Sequence, residues 1–343
     1  MLLGESDMKV TVRGYRSGDE SGINDMFNEI FGQSRDISHW YWKYRDNPYG
    51  SYGISLAVAE DGTLAAHYSG YPVKIYSTIS GDRPVELSVY QLGDKMTRKG
   101  YRSEGFGKSA LIARAYRHFV EAYTGEAVPF CYGFAAHHSL RFGVKVLKYA
   151  DIEPIPYRRI PMVRLKGLSK SRVKRIFAPA RVSEASSIGT EWTDFFLSVA
   201  PHYGYLVRRD APYLIWRYLQ RPDKKYSVFS VRIRSQLSGW SVFFREGRKV
   251  VWGDALFRPG DVESVKALLG QAASSSLFRD ADFVECWFPP RPQWWESILN
   301  EIGFEKTGQP DDLHFTVPIY RDSQSVETVR RHLYYSIGDS DLF

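Results

Sequence analysis

A short motif occurs twice in the chain, and this repeat constrains the possible fold more than any other feature. The tripeptide Trp42-Lys43-Tyr44 returns as Trp216-Arg217-Tyr218, followed in both copies by a proline and then a tyrosine at the same spacings. The displacement is 174 residues, from 42 to 216 and from 44 to 218. Two later pairs match in the same order, Gly93-Asp94 with Gly253-Asp254 and Cys131-Tyr132 with Cys286-Trp287. Three matches in one order predict two halves of duplicated topology.

Hydrophobic periodicity predicts the same order of elements in both halves, an antiparallel hairpin followed by β-α-β-α. The elements predicted for the first half are strands at 9–15, 54–59, 64–76, 86–96, 130–134 and 160–165 and helices at 21–31, 38–44, 107–123 and 139–147. We therefore expect a mixed α/β protein with two domains, each a mostly antiparallel central sheet flanked by helices. The predicted boundaries are 1–165 for the first domain, 166–190 for a basic linker, 191–320 for the second domain and 321–343 for a C-terminal tail.

The composition is that of an ordinary globular protein. The chain has 343 residues, 43% of them hydrophobic and 25% charged, and no apolar run approaches the roughly 18 residues of a membrane span. The first residues lack the basic-then-apolar layout of a signal peptide, so the predicted location is cytoplasmic, without a membrane partner. The net charge is +7, but no nucleic-acid-binding motif accompanies the basic stretch at 166–181, and nucleic acid is not an expected partner.

The chain has two cysteines, Cys131 and Cys286, each inside a short apolar run. Two thiols make no disulfide framework, and no Cys/His spacing is typical of a zinc site. We expect buried, reduced thiols and predict no metal.

The segment with the clearest chemical meaning is the polar loop Arg102-Ser103-Glu104-Gly105-Phe106-Gly107-Lys108 between a strand and a long helix. Glycines let the backbone approach a ligand closely, and a helix start adds N–H donors and partial positive charge. Arg102 and Lys108 flank the loop and can form charge-assisted hydrogen bonds. This combination is typical of a pyrophosphate-binding loop. The third glycine of a dinucleotide-binding fingerprint is absent, and the preceding strand follows a hairpin instead of opening the chain.

The loop resembles the Arg/Gln-x-x-Gly-x-Gly/Ala signature of the GNAT (GCN5-related) N-acetyltransferase superfamily. The approach from Asp94 through Met96, Thr97 and Tyr101, and the later Ser139 with Gly143, Leu147 and Tyr149, also resemble that family. The resemblance covers roughly 9–165 by motif and the remainder by topology. It implies an acyl-CoA, with acetyl-CoA expected, held between the strands that end near 96 and begin near 130. The residues it implies for binding are Met96, Thr97, Arg102, Ser103, Glu104, Gly105, Phe106, Gly107, Lys108 and Ser139.

Two departures from the family pattern bear on the chemistry. Glu104 places a negative charge in a loop where the family often has a basic residue or glycine. Phe142 stands where many relatives have the tyrosine that protonates the leaving thiolate. In the second half, Arg258-Pro259-Gly260-Asp261 lacks the paired glycines, and the acidic helix start would repel pyrophosphate. We therefore expect one acyl-CoA site per chain.

The expected reaction is direct attack of a primary amine on the thioester, which requires loss of a proton from the amine. The candidates for the base are Glu86, Asp94, and the pair His137 and His138. Phe343 is a further candidate, because a terminal Phe carboxylate serves as base in the enhanced-intracellular-survival acetyltransferases, a similar tandem GNAT family. The expected acceptor is a small-molecule amine, with an amino sugar among those the residues allow.

Two other functions stay open at this point. A Fem-type peptidyltransferase also uses two GNAT-like halves and would take aminoacyl-tRNA, which suits the basic stretch but not the pyrophosphate loop. The absent tyrosine leaves a non-catalytic acyl-CoA-binding protein as the other alternative.

Overall fold

The computed structural model describes residues 9–79, 83–168 and 180–343, and these form two compact units. The first unit is built from the described residues up to Val73, Ser88–Ile152 and Phe315–Gln324. The second is built from the described residues of Lys74–Leu87, Glu153–His314 and Ser325–Phe343. Most of the predicted linker lies outside the described residues or inside regular structure, because 169–179 are not described and a helix and a strand flank them.

The helices and strands up to the middle of the chain follow the predicted order closely. They are β1 (Val10–Gly14), α1 (Asp19–Phe31), α2 (Ile37–Trp40), β2 (Gly53–Ala59), β3 (Leu64–Ser77), β4 (Val85–Thr97), α3 (Leu111–Phe119), β5 (Tyr132–Ala136), α4 (His137–Lys145) and β6 (Ala150–Pro154). The end of β3 from Lys74 onward and the start of β4 up to Leu87 belong to the second unit. The expected mixed α/β class is confirmed.

The remaining elements carry the second sheet and the end of the chain. They are β7 (Tyr157–Pro161), α5 (Met162–Leu168), β8 (Ala180–Glu184), α6 (Thr190–Val199), β9 (Tyr205–Val207), α7 (Ala211–Leu214), β10 (Ser227–Ile233), β11 (Gln236–Glu246), β12 (Lys249–Phe257), α8 (Val262–Ala272), β13 (Phe283–Cys286), α9 (Gln293–Ile302), β14 (Glu305–Thr307), β15 (Leu313–Val317), α10 (Val326–His332) and β16 (Leu333–Tyr334). The sheet of the second unit has the order β14-β7-β13-β12-β11-β10-β8.

The fourth and fifth strands of the first unit separate partway along their length. Strands β1, β2 and β3 pair antiparallel, β4 follows, and β5 then runs parallel to β4. Among the described residues this parallel ladder has two register pairs, Gln91 opposite Tyr132 and Leu92 opposite Gly133. Strand β4 continues to Thr97 and β5 to Ala136, but in the described part of the chain these two strands share no register pair beyond Leu92, so they separate there.

Each predicted half ends with a strand that contributes to the other unit. The predicted closing strand at 160–165 is wrong: β7 ends at Pro161, Met162–Leu168 is helical, and β7 pairs with β13 and β14 of the second sheet. Arg158 of β7 is buried there with its guanidinium bound to Asn300 at 3.0 Å and to Glu296, which fixes the strand in that sheet. Conversely, residues of β15 from Phe315 onward lie in the first unit beside β5, where the Thr316 hydroxyl donates to the Gly133 carbonyl at 3.2 Å.

The repeated tripeptide has the same local structure in both units. It lies in a π-helical turn, Tyr41–Arg45 after α2 and Ile215–Leu219 after α7. An aspartate caps the short preceding helix in each case, because the Asp36 carboxylate accepts from the Ser38 N–H and the Asp210 carboxylate from the Tyr213 N–H. The sequence repeat thus corresponds to a repeated helical turn.

The two cysteines are buried and unpaired, as expected. Burial raises the pKa of the Cys131 thiol to about 12, so it carries no reactive thiolate. Within the described ranges, no helix is both long enough and apolar enough to cross a membrane.

Candidate active site in the first unit

The predicted glycine loop follows β4 and has a defined backbone conformation. Gly105 and Gly107 adopt positive φ values of 79° and 55°. A Cβ on Gly105 would lie 2.5 Å from the Ser109 carbonyl oxygen, whereas a Cβ on Gly107 would meet nothing within 4 Å. Glycine is therefore needed at both positions for the backbone conformation, and at Gly105 for space as well.

The long helix starts later than predicted. Gly107–Ser109 forms one 3₁₀ turn, α3 runs from Leu111 to Phe119, and the chain closes in a π turn at Val120–Thr124. The predicted continuous helix from 107 is wrong because Gly107 is left-handed and Ala110 is extended, with ψ at 142°. The first N–H groups of an α-helix have no intrahelical acceptor, so α3 offers donors and partial positive charge at its start.

A cleft of about 450 Å³ lies in the first unit, lined by the end of β4, by the start of α3 and by α4, the helix that directly follows β5, and we call it the β4/β5 cleft. It is lined by Ile30, Phe31, Lys95, Met96, Thr97, Tyr101, Arg102, Ala110, Leu111, Ile112, His138, Ser139, Phe142, Gly143, Leu147 and Tyr149. The structure therefore brings four of the predicted binding residues together, namely Met96, Thr97, Arg102 and Ser139. The start of α3 and the first turns of α4 face the same space, so the cleft combines apolar walls with helix N-termini and two cations.

The other predicted binding residues lie on the loop outside this cleft. Glu104 and Gly105 line a neighbouring hollow together with Lys9 and Arg114. Ser103, Gly107 and Lys108 are exposed, and Phe106 is 83% exposed. The loop is anchored to the rim of the cleft by Arg102, whose Nε donates to the Thr97 carbonyl at 3.2 Å.

Asp94 lies at the point where the strands separate, and its carboxylate is the centre of a buried cluster. Lys43 Nζ lies 2.9 Å from Oδ1, and Arg35 and the Tyr44 hydroxyl each lie 3.0 Å from Oδ2. We call these four residues the Asp94 cluster. Burial alone would raise the pKa of Asp94, but the charges of Lys43 and Arg35 outweigh it and hold the pKa well below its usual range. A carboxylate that is ionised and fully bonded is a poor proton acceptor, so this environment does not favour the predicted catalytic role of Asp94.

A buried histidine that the sequence did not reveal lies beside this cluster. His67 Nδ1 is 2.6 Å from the Asp94 carbonyl oxygen, and burial lowers the pKa of His67 to about 4. The imidazole is therefore neutral near pH 7.

Of the predicted bases Glu86, His137 and His138, only His138 lines the β4/β5 cleft. Glu86 belongs to the second unit, eight residues before Asp94 on the strand, and pairs with Arg208 at 2.5 Å. His137 begins α4 with a positive φ of 45° and is exposed, while the adjacent His138 is a cleft residue. Their roles in catalysis stay predictions.

Phe343, the last predicted candidate for the base, is buried in the second unit with 2% of its surface exposed. Its carbonyl oxygen accepts hydrogen bonds from Arg217 at 3.0 Å and from Arg221. Its ring lies against Gly253, where a Cβ would overlap it. These contacts give Phe343 a packing role in its own unit, and its role as a base stays a prediction.

Tyr149 is a cleft residue whose hydroxyl could serve acid chemistry. It lines the β4/β5 cleft together with Phe142, and its hydroxyl shares a short hydrogen bond with the Tyr68 hydroxyl. Burial raises the pKa of Tyr149 well above its usual value, so the phenol stays protonated. The sequence named Tyr149 as part of the family resemblance, but only the structure shows that a phenol lies in the cleft that also holds Phe142.

The described residues of the second unit contain a cluster like that of Asp94 but no loop with paired left-handed glycines. The Asp254 carboxylate accepts from the Tyr218 hydroxyl at 2.7 Å and from Arg209 at 3.0 Å. Arg35 and Arg209 are also separated by 174 residues, a match in the sequence that would have extended the repeat. Asp261 caps the start of α8, since its carboxylate accepts from the Ser264 N–H at 3.0 Å. An acidic cap there offers no site for a pyrophosphate.

A central sheet whose fourth and fifth strands separate beside a glycine loop and a helix start is the architecture of the GNAT acyltransferases, and the expected fold is confirmed. Comparison with solved structures shows the same fold over nearly the whole chain. A protein of unknown function from Enterococcus faecalis V583, described as a probable N-acyltransferase, superposes with a TM-score of 0.66 at 15% identity, covering 91% of this chain and 73% of that one. A GCN5-related N-acetyltransferase from Kribbella flavida gives 0.62 at 11% identity, with 92% and 72% covered.

A solved structure that contains a long-chain acyl-CoA also has a similar fold. Saccharomyces cerevisiae N-myristoyltransferase with bound myristoyl-CoA is similar at a TM-score of 0.56 and 9% identity, with 92% of this chain and 83% of that one covered. No protein-family model and no curated protein sequence matches the chain.

Proposed function

We propose that this protein transfers an acyl group from an acyl-CoA, with acetyl-CoA as the donor, to a primary amine. The observation that carries the proposal is the β4/β5 cleft, where the predicted residues Met96, Thr97, Arg102 and Ser139 line one space beside the start of α3. These residues suit CoA: the apolar walls fit pantetheine, while Arg102 and helix N–H groups fit its pyrophosphate.

The binding role falls to the loop and the two helix starts. Arg102 is fixed at the rim by its bond to the Thr97 carbonyl, and the left-handed glycines keep side chains away from the backbone that would face the phosphates. Ser139 at the start of α4 adds a hydroxyl on the opposite wall.

The acyl end of the donor is proposed to be short. The β4 residues that line the cleft begin at Lys95, directly after Asp94, and the Asp94 cluster with its buried ions occupies that point of the strand. A long aliphatic chain would gain little by lying against buried charges, whereas an acetyl group needs no extended apolar pocket.

In the proposed reaction, the amine nitrogen attacks the thioester carbonyl carbon, a tetrahedral intermediate forms, and the carbon–sulfur bond breaks. The departing thiolate takes a proton from the Tyr149 hydroxyl, which replaces the tyrosine missing at Phe142. The resulting phenolate accepts a hydrogen bond from the Tyr68 hydroxyl and regains its proton from solvent. The amine proton passes to the imidazole of His138, a side chain that lines the cleft and can accept a proton at a ring nitrogen. Asp94 has no part in proton transfer and instead holds the strand where the cleft begins.

The direct test is calorimetric titration with acetyl-CoA and myristoyl-CoA, followed by release of free CoA with a panel of primary amines that includes an amino sugar. Binding of acetyl-CoA and turnover with an amine support the proposal. Binding without turnover on any amine would favour the acyl-CoA-binding alternative. Absence of binding would refute every CoA-based function, and transfer from aminoacyl-tRNA would then indicate the Fem-type reaction.

A further inference from the structure

The most exposed large apolar side chain among the described residues stands in the middle of the glycine loop. Phe106 is 83% exposed, whereas the other phenylalanine in that group, Phe31, is 47% exposed and lines the β4/β5 cleft. A large aromatic ring held in water has no stabilising role in the folded chain, so its exposure indicates a contact with another molecule.

Three hydrogen bonds to Ser109, two with its side chain and one with its backbone, hold the Phe106 backbone in place. The Phe106 N–H donates to Ser109 Oγ at 2.9 Å, and the Phe106 carbonyl accepts from Ser109 Oγ at 2.8 Å and from the Ser109 N–H at 3.0 Å. The preceding residue packs closely against the same turn, because a Cβ at Gly105 would collide with the Ser109 backbone. The outward direction of the ring is therefore built into the loop.

The loop that carries the ring has more cations than anions, since Glu104 is its one acidic residue. Arg102 and Lys108 lie on the same loop, Lys99 forms the turn before it, and all three are exposed. Arg102 also lines the β4/β5 cleft, so the charged surface around Phe106 is continuous with the proposed donor site. An aromatic face next to several cations suits a planar base that carries phosphates.

We propose that the Phe106 ring stacks on the adenine of the CoA nucleotide and thereby selects CoA over thioesters that lack it. The inference rests on the proposed function, since a donor whose pyrophosphate meets the loop carries its adenine out over the loop surface. A base stacks on an aromatic face without needing specific hydrogen bonds, so one exposed ring is sufficient.

The test compares CoA with 4′-phosphopantetheine, which is the same molecule without the adenine nucleotide, by calorimetry on the full chain. Phe106→Ala should weaken CoA binding on the order of tenfold and leave phosphopantetheine binding unchanged. Phe106→Tyr should retain the wild-type preference, because it keeps an aromatic face. Thermal unfolding of both variants should match the wild type, since the ring makes no packing contact that folding needs.

Three outcomes would overturn the stacking contact. Unchanged CoA affinity in Phe106→Ala, while the wild type binds CoA, would refute it and leave the proposed function intact. Equal weakening of CoA and phosphopantetheine would indicate a distorted loop. A wild-type chain that binds neither compound would refute both proposals together.

Discussion

The sharpest test of the donor site is a charge placed at Gly107. This glycine has a left-handed backbone with φ at 55°, and a Cβ there meets nothing within 4 Å, so a new side chain fits without a clash on the loop proposed to hold the pyrophosphate. The left-handed backbone costs any side chain about 1–2 kcal/mol, equally for glutamate and glutamine. A carboxylate about 5 Å from one phosphate charge, at an effective dielectric constant of about 20, adds roughly 3 kcal/mol of repulsion. Gly107→Glu should therefore bind CoA on the order of 100-fold more weakly than Gly107→Gln.

Calorimetry at low ionic strength measures the dissociation constant of CoA for both variants. Thermal unfolding measures the loss of stability that both variants share because each has a side chain on a left-handed backbone. The difference in CoA affinity between the two variants should decrease as salt is added, because salt screens the charge of the glutamate and does not change the backbone strain. Gly260 provides a matched control: it has a positive φ of 71°, open space beyond it, and a place in the degenerate loop of the second unit. Gly260→Glu should lose similar stability and keep wild-type affinity for CoA.

Equal CoA affinity in the glutamate and glutamine variants of Gly107 would refute the reasoning, since the pyrophosphate could not then lie at the loop. A loss of CoA affinity in Gly260→Glu as large as that in Gly107→Glu would also refute it, because the effect would then come from general destabilisation.

Three further predictions test individual residues. Tyr149→Phe should lower kcat by about 10²–10⁴-fold with little change in the KM for acetyl-CoA, as loss of a general acid does, and steady-state kinetics check this. Asp94→Asn should reduce the free energy of unfolding in urea by about 3–5 kcal/mol, because it leaves two buried cations without their partner; a loss below 1 kcal/mol would contradict the cluster. Burial raises the pKa of Asp339 from 3.8 to about 6; the charge of Arg209 opposes this shift and the charge of Asp254 adds to it. Asp339 therefore stabilises the folded protein at low pH, and this stabilisation is lost as the pH rises from 3.8 to about 6. Unfolding at several pH values should show this slope in the wild type and not in Asp339→Asn.

Local patterns predicted most of the elements because they depend on neighbouring residues. The hairpin of the strands predicted at 54–59 and 64–76 and the strand predicted at 86–96 follow from short-range periodicity. Which sheet a strand joins depends instead on a partner far along the chain. The strand at Tyr157–Pro161 has no local signal that would assign it to the second sheet, and its buried Arg158 finds Glu296 and Asn300 only in the folded state.

The candidate site divides in the same way. The glycine loop and Ser139 were predictable because a motif of spaced residues carries them, and the structure brings Arg102 and Ser139 to one cleft. The low pKa of Asp94 was not predictable, because it depends on Lys43 and Arg35, which lie more than 50 positions earlier in the sequence. A carboxylate at the end of a strand has the same appearance in a sequence whether it is free or fully paired.

The comparison of the two units separates what the buried carboxylate does from what the loop does. Both units keep an arginine and a tyrosine on an aspartate that follows a glycine in the strand, Asp94 in one and Asp254 in the other. Only the first has the paired left-handed glycines, and in the second the Phe343 ring lies directly on Gly253. The aspartate with its arginine and tyrosine is present in the described residues of the second unit without a glycine loop. Its presence therefore does not depend on a pyrophosphate bound at such a loop. The carboxylate is therefore best explained as the tie between the π-helical turn and its strand, and the chemistry of the proposed reaction must be sought in the cleft, at Tyr149 and His138.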